Sequence, residues 1–272
     1  MTGPGRRPVP DPARRALLAA GMLTLPGLAA CTGATGTPAA ATTAAPPARG
    51  PAAEPSPSGA ASPTRTQARR AGGPDITHGP ADTAAVALTF HGAGDATLLT
   101  RMLAELAAAG ARVTILAIGQ WLAGEPRMAR QILDGGHELG NHTWSHRTMP
   151  RLTAAQVRVE VDRAAAELRT LTGSAGRWFR PSGTPHSTPI IRAAAVAAGY
   201  GACLAYDVDP LDYTDPGAAT VLRRFRAGVE PGSIVSLHLG HPGTVQAMPA
   251  MLDLLASRGL SAVTAGRLLG PG

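Results

Sequence analysis

From about residue 81 onward, short apolar runs alternate with stretches whose apolar residues recur every three to four positions. The runs predict buried strands, and the periodic stretches predict amphipathic helices. Ala85–Phe90 (Ala-Val-Ala-Leu-Thr-Phe) reads as a strand, and Thr97–Ala109 as a helix with Leu98, Met102 and Leu106 on one face and Gly110 at its end. Val113–Ile118 reads as a second strand, Pro126–Asp134 as a helix stopped by Gly135-Gly136, and Glu138–Gly140 as a short third strand. Thr153–Thr172 is a long helix, opened by Thr153 as its N-cap and ended by Gly173. Trp178-Phe179, Gly201–Ala205, Ser233–Leu237 and Leu260–Val263 read as further strands. They alternate with helices over Pro189–Ala198, Gly217–Ala227 and Thr244–Ser257, before a last segment at Gly266–Leu269.

Repeated strand–helix units imply a parallel sheet with helices outside. About seven units fit into residues 81–272. The expected fold is α/β, a TIM-like (β/α)7 barrel that is smaller and less regular than the eightfold version. In such a barrel the C-terminal strand ends open on one face, where reactive groups collect. This chain puts polar residues there repeatedly. His91 and Asp95 follow Phe90; Asn141, His142 and His146 follow Gly140; Arg180 follows Phe179. Asp207, Asp209 and Asp212 follow Ala205, and His238 and His241 follow Leu237. Solvated loops do not supply so many such residues after strands, so the pattern points to one site.

Residues before 81 have a different texture. Arg6, Arg7, Arg14 and Arg15 form a basic start, and Ala16–Ala30 is an apolar run too short to span a bilayer. It ends Leu28-Ala29-Ala30-Cys31, which resembles the lipobox of bacterial lipoproteins, with Cys31 as the lipidated residue. Arg14-Arg15-Ala16-Leu17-Leu18 also resembles a twin-arginine export signal. The expected organisation is a signal peptide over 1–31, a disordered Ala/Pro/Thr-rich tether over 32–80 and one domain over 81–272. A lipidated Cys31 would anchor the chain to the outer face of the membrane; without lipidation the product would be secreted.

Charge follows the same division. All 25 basic residues are Arg, and eight of them, against three acids, lie in residues 1–80. Residues 81–272 hold seventeen Arg against fifteen acids. The domain is close to neutral and aromatics make up only 3% of the chain, so nucleic acid is not an expected partner. Cys31 and Cys203 lie in unrelated surroundings and form no disulfide framework.

His142 and His146 are four residues apart, a spacing that puts both imidazoles on one side of a helical turn. They suit a divalent metal, Zn²⁺ above all, completed by a carboxylate or a third histidine. Arg180 is a fixed cation able to hold a carboxylate or an oxyanion. Asp209 and His238 can pair so that the carboxylate raises the histidine pKa. Metal, base and acid together are the equipment of metal-assisted hydrolysis.

Over residues 85–270 these features resemble the NodB-like polysaccharide deacetylases. His142-Thr143-Trp144-Ser145-His146 matches the H-[ST]-x-x-H metal motif of that family. Phe179-Arg180-Pro181 matches the start of R-P-P-Y, with Ser182-Gly183 departing from the rest. Tyr206–Tyr213 resembles W-x-x-D-x-x-D-W, and Pro231–His238 resembles P-G-x-I-x-L-x-H. The resemblance implies a distorted (β/α)7 barrel and a hydrolase that removes acetyl groups from a peptidoglycan-like or related acetylated polysaccharide. It implies metal binding by His142 and His146, a base oriented by Arg180, and leaving-amine protonation by His238 tuned by Asp209.

The first motif departs. Where the family has T-F-D-D-G-P, this chain has Thr89-Phe90-His91-Gly92-Ala93-Gly94-Asp95, so the base position is His91 and the metal-carboxylate position is Gly92. Three readings follow. In the first, Asp95 folds back as the third metal ligand and His91 is the base. In the second, His91 is the third ligand and Asp95 the base. In the third, the domain binds glycan or metal without turnover. The surviving Arg180, Asp209 and His238, with a new His and Asp at the gap, favour the two active readings over the third. The first stands slightly ahead of the second, although an Arg beside His91 would depress its pKa unless Asp95 lay between them.

Overall fold

The computed structural model describes residues 74–270. The signal segment, Cys31 and the tether up to residue 73 lie outside the described residues. The elements are β1 (Ala85–Gly92), α1 (Ala96–Ala108), β2 (Thr114–Ala117), α2 (Gly119–Gly124), α3 (Arg127–Asp134), β3 (Glu138–Asn141), α4 (Ala154–Thr172), α5 (Pro189–Ala197), α6 (Ala218–Gly228), β4 (Ile234–His238), α7 (Pro242–Ser257), β5 (Ser261–Val263) and α8 (Ala265–Leu269). Single-turn 3-10 helices lie at Met149–Arg151 and Asp212–Thr214.

The sheet is parallel in the order β3-β2-β1-β4, with β5 also pairing β1. Isolated bridges continue the path: Asn141 with Phe179, Phe179 with Cys203, and Val208 with Val235 of β4. The fold is thus the expected parallel α/β one, but the segments at 178–179 and 201–205 are reduced to single bridges.

Alternation along β1 sorts the core. Val86, Leu88 and Phe90 pack outward in a cluster with Leu99, Met102 and Leu106 of α1 and Met248, Met251 and Leu255 of α7. Ala87 faces the other way, with Leu116, Trp178, Leu204 and Ile234. Burying a side chain such as Phe90 is worth about 1.5–3 kcal/mol, so the register of β1 is firmly set. The same inward parity then brings Thr89 and His91 into the interior. That column runs from apolar at its base to polar at its C-terminal end.

Helix termini follow the sequence closely. Thr153 caps α4 in a capping box with Gln156, and Gly173 ends it at φ 78°. Residues 74–80, read from sequence as part of the tether, are instead tied to the domain. Ile76 bridges Leu204, His78 bridges Ser233, and Asp75 accepts hydrogen bonds from the backbone and hydroxyl of Ser187.

Candidate functional site

Parallel register builds the site. His91 lies level with Leu116 of β2 on one side and with His238 of β4 on the other. The rings of His91 and His238 stand 4.4 Å apart, and that of His142 lies 4.3 Å from His91. His142 follows directly after β3, its backbone N–H bonded to Ala117.

The His142–His146 segment is a loop rather than a helical turn. Thr143 and His146 take φ of 68° and 57°, a left-handed conformation that costs a non-glycine residue about 1–3 kcal/mol. Hydrogen bonds hold the loop there. Asn141 accepts from the Thr143 backbone, and the buried Glu160 carboxylate accepts from the backbones of Trp144 and Ser145 and the Ser145 hydroxyl. Glu160 escaped the sequence reading, although a carboxylate on the apolar stripe Val157, Val161, Ala164 and Leu168 of α4 was a visible sign.

The histidine pair has the character of a metal site. The Nδ1–H of His142 donates to the Arg180 carbonyl at 3.0 Å, which leaves the lone pair on Nε2. That Nε2 is the one buried side-chain nitrogen or oxygen among the described residues without a hydrogen-bond partner. One ring nitrogen from each of His91, His142 and His146 lies within 4.8 Å of the other two. Burial, then the charge of a neighbouring histidine, lowers the pKa of His142 and of His146, which favours the neutral ring in each. An orphaned lone pair among neutral imidazoles fits a divalent cation.

Asp95 is not part of this cluster. Its exposed carboxylate caps α1, accepting from the backbone N–H groups of Thr97 and Leu98 at 2.8 and 3.2 Å. The bonds from Leu98 and Thr97 lower its pKa. Starting α1 at Ala96 needs an N-cap, and that local demand takes the side chain. The expectation of Asp95 as a metal ligand gives way to a structural role.

Arg180 is 1% exposed and has four anchors. Its guanidinium donates to Leu204 O at 2.8 Å, Ala205 O at 2.9 Å, Thr89 Oγ1 at 2.9 Å and His91 Nε2 at 3.0 Å. Among the described residues no carboxylate lies within 4 Å of it. Burial pushes its pKa down to about 9, partly opposed by Tyr206 and Asp209. His91 is held neutral by burial and by the neighbouring His142 and Arg180. Its acceptor nitrogen is already occupied, which unfits it for the expected role of general base.

His238 pairs with Asp212, not with Asp209. Its Nδ1 lies 2.7 Å from Asp212 Oδ1, and Asp212 Oδ2 accepts from the His238 backbone and the Thr244 hydroxyl. Burial alone would raise the Asp212 pKa, but the bonds from His238 and Thr244 hold it below the ordinary value. Asp209 lines the cleft, bonded to Leu211 N at 2.8 Å, and burial raises its pKa. The two aspartates are three residues apart, and a 3-10 turn entered through left-handed Leu211 decides which one reaches His238. The cleft itself is about 510 Å³, lined by His91, His146, Tyr206, Asp209, Tyr213 and His238 among others.

The chain is similar to known proteins. A family model described as polysaccharide deacetylase matches residues 78–202. A chitooligosaccharide deacetylase of Rhizobium leguminosarum is 31% identical over 176 residues, 58% of this chain and 74% of that one. Another, from Bradyrhizobium, is 33% identical over 132 residues, 47% of this chain and 58% of that one. The chain spans about three fifths of the length of the Bradyrhizobium protein and of a Bacillus subtilis relative. Among solved structures, a mutant of a CE4 family pseudoenzyme with restored enzymatic activity superposes with a TM-score of 0.68 at 26% identity, covering 72% of this chain and 71% of that one. The wild-type pseudoenzyme, from Bacillus anthracis, gives 0.67 at 25%, covering 72% and 69%. A relative of which the chain covers 74% at 31% identity, together with the matching family model, shows that the chain belongs to the polysaccharide deacetylase family.

Proposed function

We propose that the protein is a metal-dependent hydrolase that removes acetyl groups from an N-acetylated glycan of the cell wall or a related polymer. The carrying observation is the orphaned Nε2 of the buried His142, clustered with His91 and His146, beside a cleft that His91, His146 and the Asp212-bound His238 line. His142 and His146 would hold the ion, with Zn²⁺ the best match to imidazole nitrogen. Such an ion supplies Lewis acidity to a carbonyl and lowers the pKa of a water.

The protein's own groups do the rest. Asp212 fixes the orientation of His238, with Nδ1 towards the carboxylate. Nε2 of His238 then takes a proton from the attacking water and returns it to the departing amine nitrogen as the C–N bond breaks. One group moves one proton twice, so no separate base from the first motif is required. Tyr206, Tyr213 and Pro181 give the cleft apolar surface against which sugar rings can lie.

A second reading, binding without turnover, is favoured by the altered first motif: Gly92 supplies no carboxylate and Asp95 is a helix cap. The similarity to a pseudoenzyme supports it as well. Acetate release from N-acetylglucosamine oligomers, with Zn²⁺ and after chelation, separates the two. Release that chelator abolishes supports the hydrolase; oligomer bound with no acetate released refutes it. We further propose export through the segment ending at Cys31, with lipidation there. Mass spectrometry of the exported chain would show a diacylglyceryl Cys31 as the first residue.

A further inference from the structure

We propose that His91 acts as a fixed hydrogen-bond donor facing the cleft, neither a metal ligand nor a base. The oxygen that would receive this bond is the carbonyl oxygen of the bound acyl group, and that part rests on the hydrolase reading. The donor state of the ring does not.

A guanidinium has only donors, so its 3.0 Å contact with His91 Nε2 requires a lone pair on that nitrogen. Ser236 Oγ lies 3.3 Å from the same atom. A neutral imidazole that accepts at Nε2 carries its proton on Nδ1. An N–H can neither ligate a cation nor take up a proton. The guanidinium cannot withdraw, because Thr89, Leu204 and Ala205 hold its other nitrogens.

Position 92 offers Arg180 no carboxylate in place of His91. A Cβ at Gly92 would stand 2.6 Å from Ala117 Cα and 2.9 Å from Leu116 O, both backbone atoms of β2. No side chain fits there without moving a strand, so no carboxylate can reach Arg180 from that position. His91 also sits where a donor is useful. Its ring lies between His142 at 4.3 Å and His238 at 4.4 Å, that is, between the ion-binding pair and the proton-transfer pair. Negative charge develops on the carbonyl oxygen as an amide is attacked, and a preoriented donor there is worth about 10²- to 10³-fold in kcat. His91 transfers no proton in this role; the proton path through His238 is unchanged.

The test is ¹⁵N NMR of the histidine side chains in the full chain, first metal-free and then titrated with Zn²⁺, with His91 assigned from the spectrum of His91→Gln. The expected result is a protonated Nδ1 on His91 in both states, while His142 Nε2 shifts on adding Zn²⁺. Loss of the His91 Nδ1 proton on adding Zn²⁺, or a protonated Nε2 in the metal-free chain, overturns the proposal. If Zn²⁺ shifts no histidine, the metal reading fails and the metal-free spectrum still decides the state of His91. On oligomer substrate, His91→Phe should lower kcat about 10²- to 10³-fold, with KM little changed. His91→Gln, which keeps an N–H, should recover part of that loss. Equal losses in the two variants would count against a donor role.

Discussion

His142 and His91 are neighbouring imidazoles held by the same residue, and Arg180 gives them opposite faces. The Arg180 carbonyl takes the Nδ1–H of His142 and leaves a bare lone pair. The Arg180 guanidinium takes the lone pair of His91 and leaves an N–H. Both rings carry the proton on Nδ1; they differ in which nitrogen is turned to the protein. The chemistry a histidine offers to a cleft is therefore set by the polarity of its back-side partner, not by its distance from other ligands. By distance alone, all three nitrogens would look like one ligand set.

The largest expected effect comes from a change that touches neither ring of this pair. Asp212→Asn removes the carboxylate behind His238 and should lower kcat about 10²- to 10⁴-fold, with Zn²⁺ affinity unchanged. The same variant has a pH signature in stability. The Asp212 pKa is lowered on folding, so its contribution is present above the ordinary carboxylate range and lost as pH falls through the folded value. The stability deficit of Asp212→Asn should therefore be full at neutral pH and shrink in acid, as read by denaturant unfolding at a series of pH values.

Gly92→Asp challenges the His91 side of the comparison. Steric overlap with β2 should destabilise the fold by about 1–3 kcal/mol, without raising acetate release. A stable, faster variant would show that a carboxylate can reach Arg180 and displace His91. Asp95→Ala should cost about 1 kcal/mol through loss of the α1 cap, with activity and Zn²⁺ affinity at wild-type levels. A fall in Zn²⁺ affinity would return Asp95 to the metal site.

Much of this was legible in the sequence, and the losses have physical causes. The alternation of apolar runs with helical periodicity located β1, β2, β3, β4 and the flanking helices, because burial on one face fixes those patterns. Motif order located His142, His146, Arg180 and His238. Side-chain direction was not legible. Asp95 looked available for metal because its capping bond depends on α1 starting at Ala96. Asp209 and Asp212 were indistinguishable until the 3-10 turn gave one of them to His238. The role of His91 depends on which end of Arg180 it meets, and that follows from the level of β1 against Phe179–Arg180 and Leu204–Ala205, which no local pattern encodes.

The most direct measurement is calorimetric titration of the full chain with Zn²⁺, comparing wild type, His142→Ala and His91→Phe. His142→Ala should abolish measurable binding, and His91→Phe should leave the Kd within a few-fold of wild type, on the order of 1 kcal/mol or less. A loss in His91→Phe as large as that in His142→Ala would make His91 a third ligand rather than a fixed hydrogen-bond donor.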